Sequence, residues 1–221
     1  MLNAVRDSSP DRRCHYDGMC YAVNTMAAKY KALFARVKNR GIPPVAFLDE
    51  LVAWGRSAPD DIFDVNDEKG DVMGILCAIL GPWQGEPRTP ERLMHRKCCM
   101  LELLRCLAGF ESSWKWNEGV DTTNKTSMRL IAGQETGIFQ VSYDSLNLEK
   151  NSHDLYDLLR RRGVSGVNGF ITQMKADHTL ALEYCARLLR ISYLWDGPIK
   201  RHEIDTSLSR DAVEEFKRLM A

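Results

Sequence analysis

The stretch TPERLMHRKCCMLELLRCLAGFE, Thr89 to Glu111, decides the fold of this 221-residue chain. Leu93, Met100, Leu104 and Leu107 recur at helical spacing, and Leu103, Cys106 and Phe110 widen the stripe they draw. Thr89 is a good N-cap. Pro90 fits the first helical position, where a missing N–H costs nothing, and Glu91 suits the positive end of the helix dipole. From Leu93 to Phe110 such a helix is about 27 Å long at 1.5 Å per residue. A helix of this length with so wide an apolar face belongs in a core, and Glu111 closes it on the buried side.

Working outward, Gly81 to Pro90 holds Pro82, Pro87 and Pro90 and marks the clearest boundary in the chain. Upstream of it, Tyr21, Met26, Tyr30, Leu33, Phe34 and Val37 predict a helix over 19–40, stopped by Gly41-Ile42-Pro43-Pro44. Further helices are expected over 44–56 and 71–80. The acidic stretch Asp60 to Asp71 resembles a calcium loop only superficially. Its turn glycine is displaced to Gly70, and Ile75 stands where the closing Glu should be. Downstream, residues 112–133 are polar with a weak β signal, and Gly137 to Val141 is compact and apolar. Short helices are expected over 155–161 and 170–174, with Gly163 to Gly169 as a flexible connection. His178 to Trp195 reads as a second core helix, burying Ala181, Tyr184, Cys185, Leu188 and Leu189. A last amphipathic helix spans 208–219, started by Ser207 or Ser209. The fold class is mostly α with a small β or loop region. Residues 1–88 read as an N-terminal helical extension and 89–221 as a second domain.

Composition narrows the function. Lys plus Arg and Asp plus Glu are both 30, so the formal net charge is zero. That balance disfavours a dedicated nucleic-acid binder, and the local run Arg160-Arg161-Arg162 reads as a solvated helix end. No apolar stretch approaches the roughly 18 residues of a membrane span, so no membrane insertion is expected. Residues 1–13 contain no apolar signal segment, which predicts a chain made in the cytoplasm. Of seven cysteines, Cys77, Cys99, Cys106 and Cys185 lie in apolar runs and read as buried, whereas Cys14 and Cys20 could pair or stay free. His95 and Cys98 share a helix face, but no second ligand pair completes a metal site, and neither metal nor cofactor is expected. There is no GxSxG elbow, P-loop or HExxH motif.

A carboxylate on an apolar stripe is costly unless it takes a proton, and burial raises its pKa toward neutrality. A carboxylic acid so tuned can donate a proton near pH 7. The alternative is that Glu111 turns to solvent at a frayed helix end. Phe110-Glu111-Ser112-Ser113-Trp114-Lys115-Trp116 then places hydroxyls and two indoles beside that carboxyl. Trp faces suit the axial C–H bonds of sugar rings, although both indoles could equally be packing anchors.

A core helix ending in Glu-Ser, then a polar loop, then Gly137-Ile138-Phe139-Gln140-Val141, resembles the lysozyme-like superfamily, nearest its goose-type lysozymes and lytic transglycosylases. The likeness covers about residues 90–195, with Ala186-Arg187-Leu188-Leu189 resembling part of the family's core helix behind the catalytic one. It implies that Glu111 is the general acid on the glycosidic oxygen of peptidoglycan. Ser112, Trp114, Trp116, Gln140 and Tyr143 would then bind the glycan, with 137–141 lining the cleft. Glu135 stands close to where goose-type enzymes position water, followed by Asp121 and then Glu118 as candidates. The Tyr-Asn-Gly motif common in lytic transglycosylases is missing; Ser192-Tyr193-Leu194-Trp195-Asp196-Gly197 stands instead. That departure and the long interval from Glu111 to Gln140 point toward hydrolysis.

The expectation is therefore a muramidase cutting the β-1,4 bond between MurNAc and GlcNAc. The chain also resembles type VI secretion glycoside hydrolase effectors. That likeness implies action on the wall of a target cell's periplasm and a cognate immunity protein that plugs the cleft. The competing expectations are a lytic transglycosylase, a phage endolysin, and a lysozyme-like module that binds glycan without cutting.

Overall fold

The computed structural model describes residues 29–64, 71–82, 89–120, 130–148, 153–192 and 197–221. The protein is mostly helical. Among the described residues, β pairing is limited to two isolated bridges, Val37 with Gly41 and Thr136 with Val141. The α-helices are α1 Val45–Ser57, α2 Met73–Leu80, α3 Pro90–Ser112, α4 His153–Arg161, α5 Gly166–Ala176, α6 His178–Ile191 and α7 Arg210–Met220. Residues 32–221 form one compact unit.

Helix α3 is the axle of that unit. Its 23 residues begin as the sequence demands, with the Thr89 hydroxyl accepting from Arg92 N–H and Pro90 in the first turn. It packs against α1, α2, α6 and α7, so its middle is buried on nearly every side. Two charges are carried into this core. Glu102 and Arg105 are fully buried and form a two-pronged ion pair, Nε to Oε2 at 2.6 Å and Nη2 to Oε1 at 2.8 Å. A buried pair survives only if its remaining polar atoms are also satisfied. Here Glu102 accepts from Ser209 N–H at 2.9 Å, and Arg105 reaches the carbonyls of Ala35 and Ser207 at 3.0 and 3.4 Å. The pair thus ties α3 to both the segment before α1 and the segment before α7.

The helix expected over 19–40 is corrected where the structure describes it. Residues 32–41 form turns instead. Their N–H groups find partners far along the chain: Glu215 accepts from Ala32 and Leu33, and Ser207 Oγ accepts from Lys38 at 3.1 Å. Asn39 (φ 61°) and Gly41 (φ 116°) then reverse the chain through conformations that only such residues adopt readily. Two smaller corrections follow. Helix α5 starts at Gly166, inside the stretch expected as a flexible connection, because burying Phe170 and Met174 rewards the extra turn. Cys77 is half-buried, while Cys98 is buried with Cys99, Cys106 and Cys185. Cys14, Cys20 and the heart of the calcium-like loop, residues 65–70, lie outside the described residues.

Candidate active site

The C-terminal end of α3 is shaped by an abrupt reversal. Ser113 (φ 54°) and Trp114 (φ 61°) are both left-handed, and their N–H groups return to Gly109 and Ala108 carbonyls at 3.1 and 3.0 Å. Two consecutive non-glycine residues in that region are strained, and the strain needs an offsetting contact. Trp114 provides it. Its indole is buried, its Nε1–H donates to the Arg105 carbonyl at 3.0 Å, and its ring lies where a Cβ on Gly109 would be 2.7 Å away.

This corrects two of the expected glycan contacts. Trp114 offers no open face to a sugar, because burying the ring is what holds the reversal. Ser112 is likewise enclosed: its hydroxyl lies 2.8 Å from the Ile138 carbonyl and 3.1 Å from that of Ala108, and accepts from Lys115 N–H at 3.1 Å. Ser112 is a clasp that fastens the helix end to the 136–141 turn. Trp116 is half-buried, with one face stacked on His178 at 3.9 Å and 7°, and its ring tilted at 48° to Phe47 at 5.8 Å.

The turn itself is closed by the reciprocal hydrogen bonds of Thr136 and Val141, at 3.0 and 3.2 Å. Gly137 (φ 72°) has to be glycine, since a Cβ would come within 2.7 Å of the Met174 carbonyl oxygen. Its N–H donates to the Glu118 carbonyl at 3.0 Å, which joins the post-helix loop to the turn. Ile138, Phe139 and Val141 are buried, while Gln140 (φ 46°) is half-buried and donates its side-chain amide to the Gly137 carbonyl at 2.8 Å. Glu135, Gln140, Ser142, Asp144 and Leu188 are among the residues lining a groove of about 250 Å³. Tyr143 lies elsewhere, edge-on to Phe170 at 5.7 Å and lining a separate groove of about 460 Å³ with Tyr156 and Arg160.

Glu111 is half-buried at this junction, and its pKa rises from 4.5 to about 7. Burial is the largest cause, and the charge of Glu135 adds to it; Arg201 and Arg40 pull the other way, and Glu203 raises it further. The structure therefore brings Glu111 and Glu135 within mutual electrostatic reach. Glu118 is engaged otherwise: its carboxylate pairs with Lys115 at 3.1 Å in an exposed contact. Asp121 lies outside the described residues. Sequence reasoning missed Arg40, Arg201 and Glu203, and no local signal marks them, since each lies far along the chain from Glu111. Among the described residues no cluster of three His, Cys, Asp or Glu could hold a metal ion. No described helix is long and apolar enough to cross a membrane. No protein-family model matches the chain, and no curated protein or solved structure matches it either.

Proposed function

We propose that the protein is a peptidoglycan-cleaving glycoside hydrolase, a muramidase with Glu111 as its general acid. The observation that carries this reading is the Glu111 carboxyl, raised to about 7 at the end of the core helix with a second carboxylate, Glu135, acting on it. Two carboxyl groups whose surroundings differ are what glycoside hydrolysis requires: one holds a proton for the leaving oxygen, the other serves water or the sugar cation. Glu111, whose pKa burial raises to about 7, takes the first role. Glu135, lining the adjacent groove, takes the second, holding water on the far face of the sugar and giving an inverted, α-configured end. On this reading the site of action is the wall in a target cell's periplasm, and a cognate inhibitor would act by filling this cleft.

The test is mass spectrometry of purified sacculi after incubation with the protein and with Glu111→Gln. Fragments with reducing ends that vanish in the variant support the muramidase. Anhydro ends would mean that the sugar's own 6-hydroxyl attacks, a lytic transglycosylase. Binding without fragments would mean a glycan-binding module.

A further inference from the structure

The surroundings of Glu111 hold more positive charge than general acid catalysis needs. Arg40 sits on the 37–41 turn, and its guanidinium lies over the Phe110 ring at 5.4 Å, beside Glu111. Arg201 sits on a second turn, where Arg201 N–H bonds Gly197 O at 3.1 Å, His202 N–H bonds Ile199 O at 3.0 Å, and His202 is left-handed at φ 57°. The segment that follows the second turn is tied to the first. Ser207 Oγ accepts from Lys38 N–H at 3.1 Å, while Ser207 N–H bonds Ile204 O at 2.8 Å. Arg105, locked by Glu102, reaches the carbonyls of Ala35, just before the first turn, and Ser207, five residues after the second, and ties both flanking segments to α3. Lys38, Arg40, Lys200 and Arg201 are all exposed on these turns. Glu203 is the counter-charge: its carboxylate takes Arg201 at 2.8 and 3.5 Å.

We infer that these two turns form a carboxylate-reading rim, in which Arg40 and Arg201 select glycans that bear acid groups over neutral β-1,4 polymers. Peptidoglycan carries such carboxylates on its peptide branches, and on the lactyl group of any muramic acid whose peptide has been removed. Guanidinium forks fit them in two-pronged geometry. Glu203 holds the Arg201 fork in shape until a substrate carboxylate competes for it. The rim rests on the proposed function for the reaction, but its recognition step is separable from cleavage.

The experiment compares native sacculi with sacculi whose carboxyl groups have been converted to neutral amides. Binding is read by co-sedimentation of Glu111→Gln, and cleavage by release of soluble fragments with the active protein. Exposed charge contacts of this kind are individually weak, so the two arginines together should give a preference of about tenfold for native sacculi. In the Arg40→Gln/Arg201→Gln variant that ratio should fall to near one, with the loss in KM rather than kcat when both are read on the acid side of the alkaline limb. The Arg40→Lys/Arg201→Lys variant should keep part of the ratio, and Glu203→Gln should raise it by releasing Arg201. Thermal melts separate these effects from misfolding.

Equal binding of both preparations by the parent protein overturns the rim. So does an arginine variant that loses binding to both equally. Absence of cleavage with selective binding intact would refute the muramidase and leave the rim standing.

Discussion

Replacing Glu111 with Gln should stabilise the protein at pH 8 and do little at pH 4. A carboxyl moved from 4.5 to about 7 keeps its proton in the folded state over a range where the unfolded chain has lost it. Between those values the native state binds more protons, so stability falls as pH rises, and the loss is complete above about 7. The full displacement corresponds to roughly 3 kcal/mol at about 1.36 kcal/mol per tenfold in proton affinity. Glu111 still meets solvent, so about 2–3 kcal/mol is the working figure. Gln keeps the shape and cannot ionise, so the variant lacks this decline. For a unit spanning residues 32–221, each kcal/mol moves Tm by about 2–4 °C, and the variant should gain roughly 5–10 °C on the parent between pH 4 and pH 8. Lost hydrogen bonds of Gln shift both ends equally, so the change in the gap is the diagnostic quantity. Circular-dichroism melts of both proteins across that range measure it. Curves that stay parallel would refute the assignment of a raised Glu111, and with it the reason to regard this residue as an acid.

Glu135→Gln removes a negative neighbour, so Glu111 should ionise at lower pH and the alkaline limb of sacculus cleavage should shift down. Turnover should suffer more than in Glu118→Gln, whose carboxylate is committed to Lys115; a matched kinetic series tests both points. Ser112→Ala leaves the buried Ile138 carbonyl without its hydroxyl partner and should cost about 1–3 kcal/mol in urea unfolding. Gly137→Ala drives a Cβ to 2.7 Å from the Met174 carbonyl at a φ of 72° and should lower Tm by several degrees, more than Gly163→Ala, where no atom lies within 4 Å of the added Cβ. Equal effects of the two glycine changes would show that the close approach to α5 is not what fixes Gly137.

The parts of the fold legible from sequence are those whose cause is local. Thr89, Pro90 and the apolar stripe lie within one helix, and α3 begins and ends within a residue of that reading. Asp177 and Ser209 cap α6 and α7 in the same local way, accepting from Leu180 and Ala212 N–H groups. The segment 32–41 has helical spacing too, yet it is drawn into turns by acceptors on Ser207 and Glu215. Such partners are invisible to any window of neighbouring residues. The same reason explains the indoles. Whether Trp114 faces sugar or core depends on the left-handed pair Ser113-Trp114, and nothing in the composition of 110–116 announces that reversal.

The candidate site shows how far a local pattern can reach. Glu111 stands out because an acid on an apolar stripe is anomalous, and the anomaly sits within one helix. The field that sets its proton affinity comes from elsewhere: Glu135 from the following turn, Arg40 from one side of the chain and Arg201 with Glu203 from the other. Two carboxylates push its pKa up and two guanidiniums push it down. Burial is the largest contribution and acts in the direction of the net shift. A glycan laid over the cleft would remove the remaining solvent from Glu111 and strengthen that contribution, while its own acid groups, drawing on Arg40 and Arg201, would weaken the pull of the guanidiniums. Both effects hold the proton on Glu111 until the glycosidic oxygen needs it. The acid would thus be tuned most strongly by substrates that carry carboxylates, so rates on native and amidated sacculi should differ in the position of their alkaline limb as well as in KM. A common alkaline limb for the two preparations would show that the arginines act on binding alone.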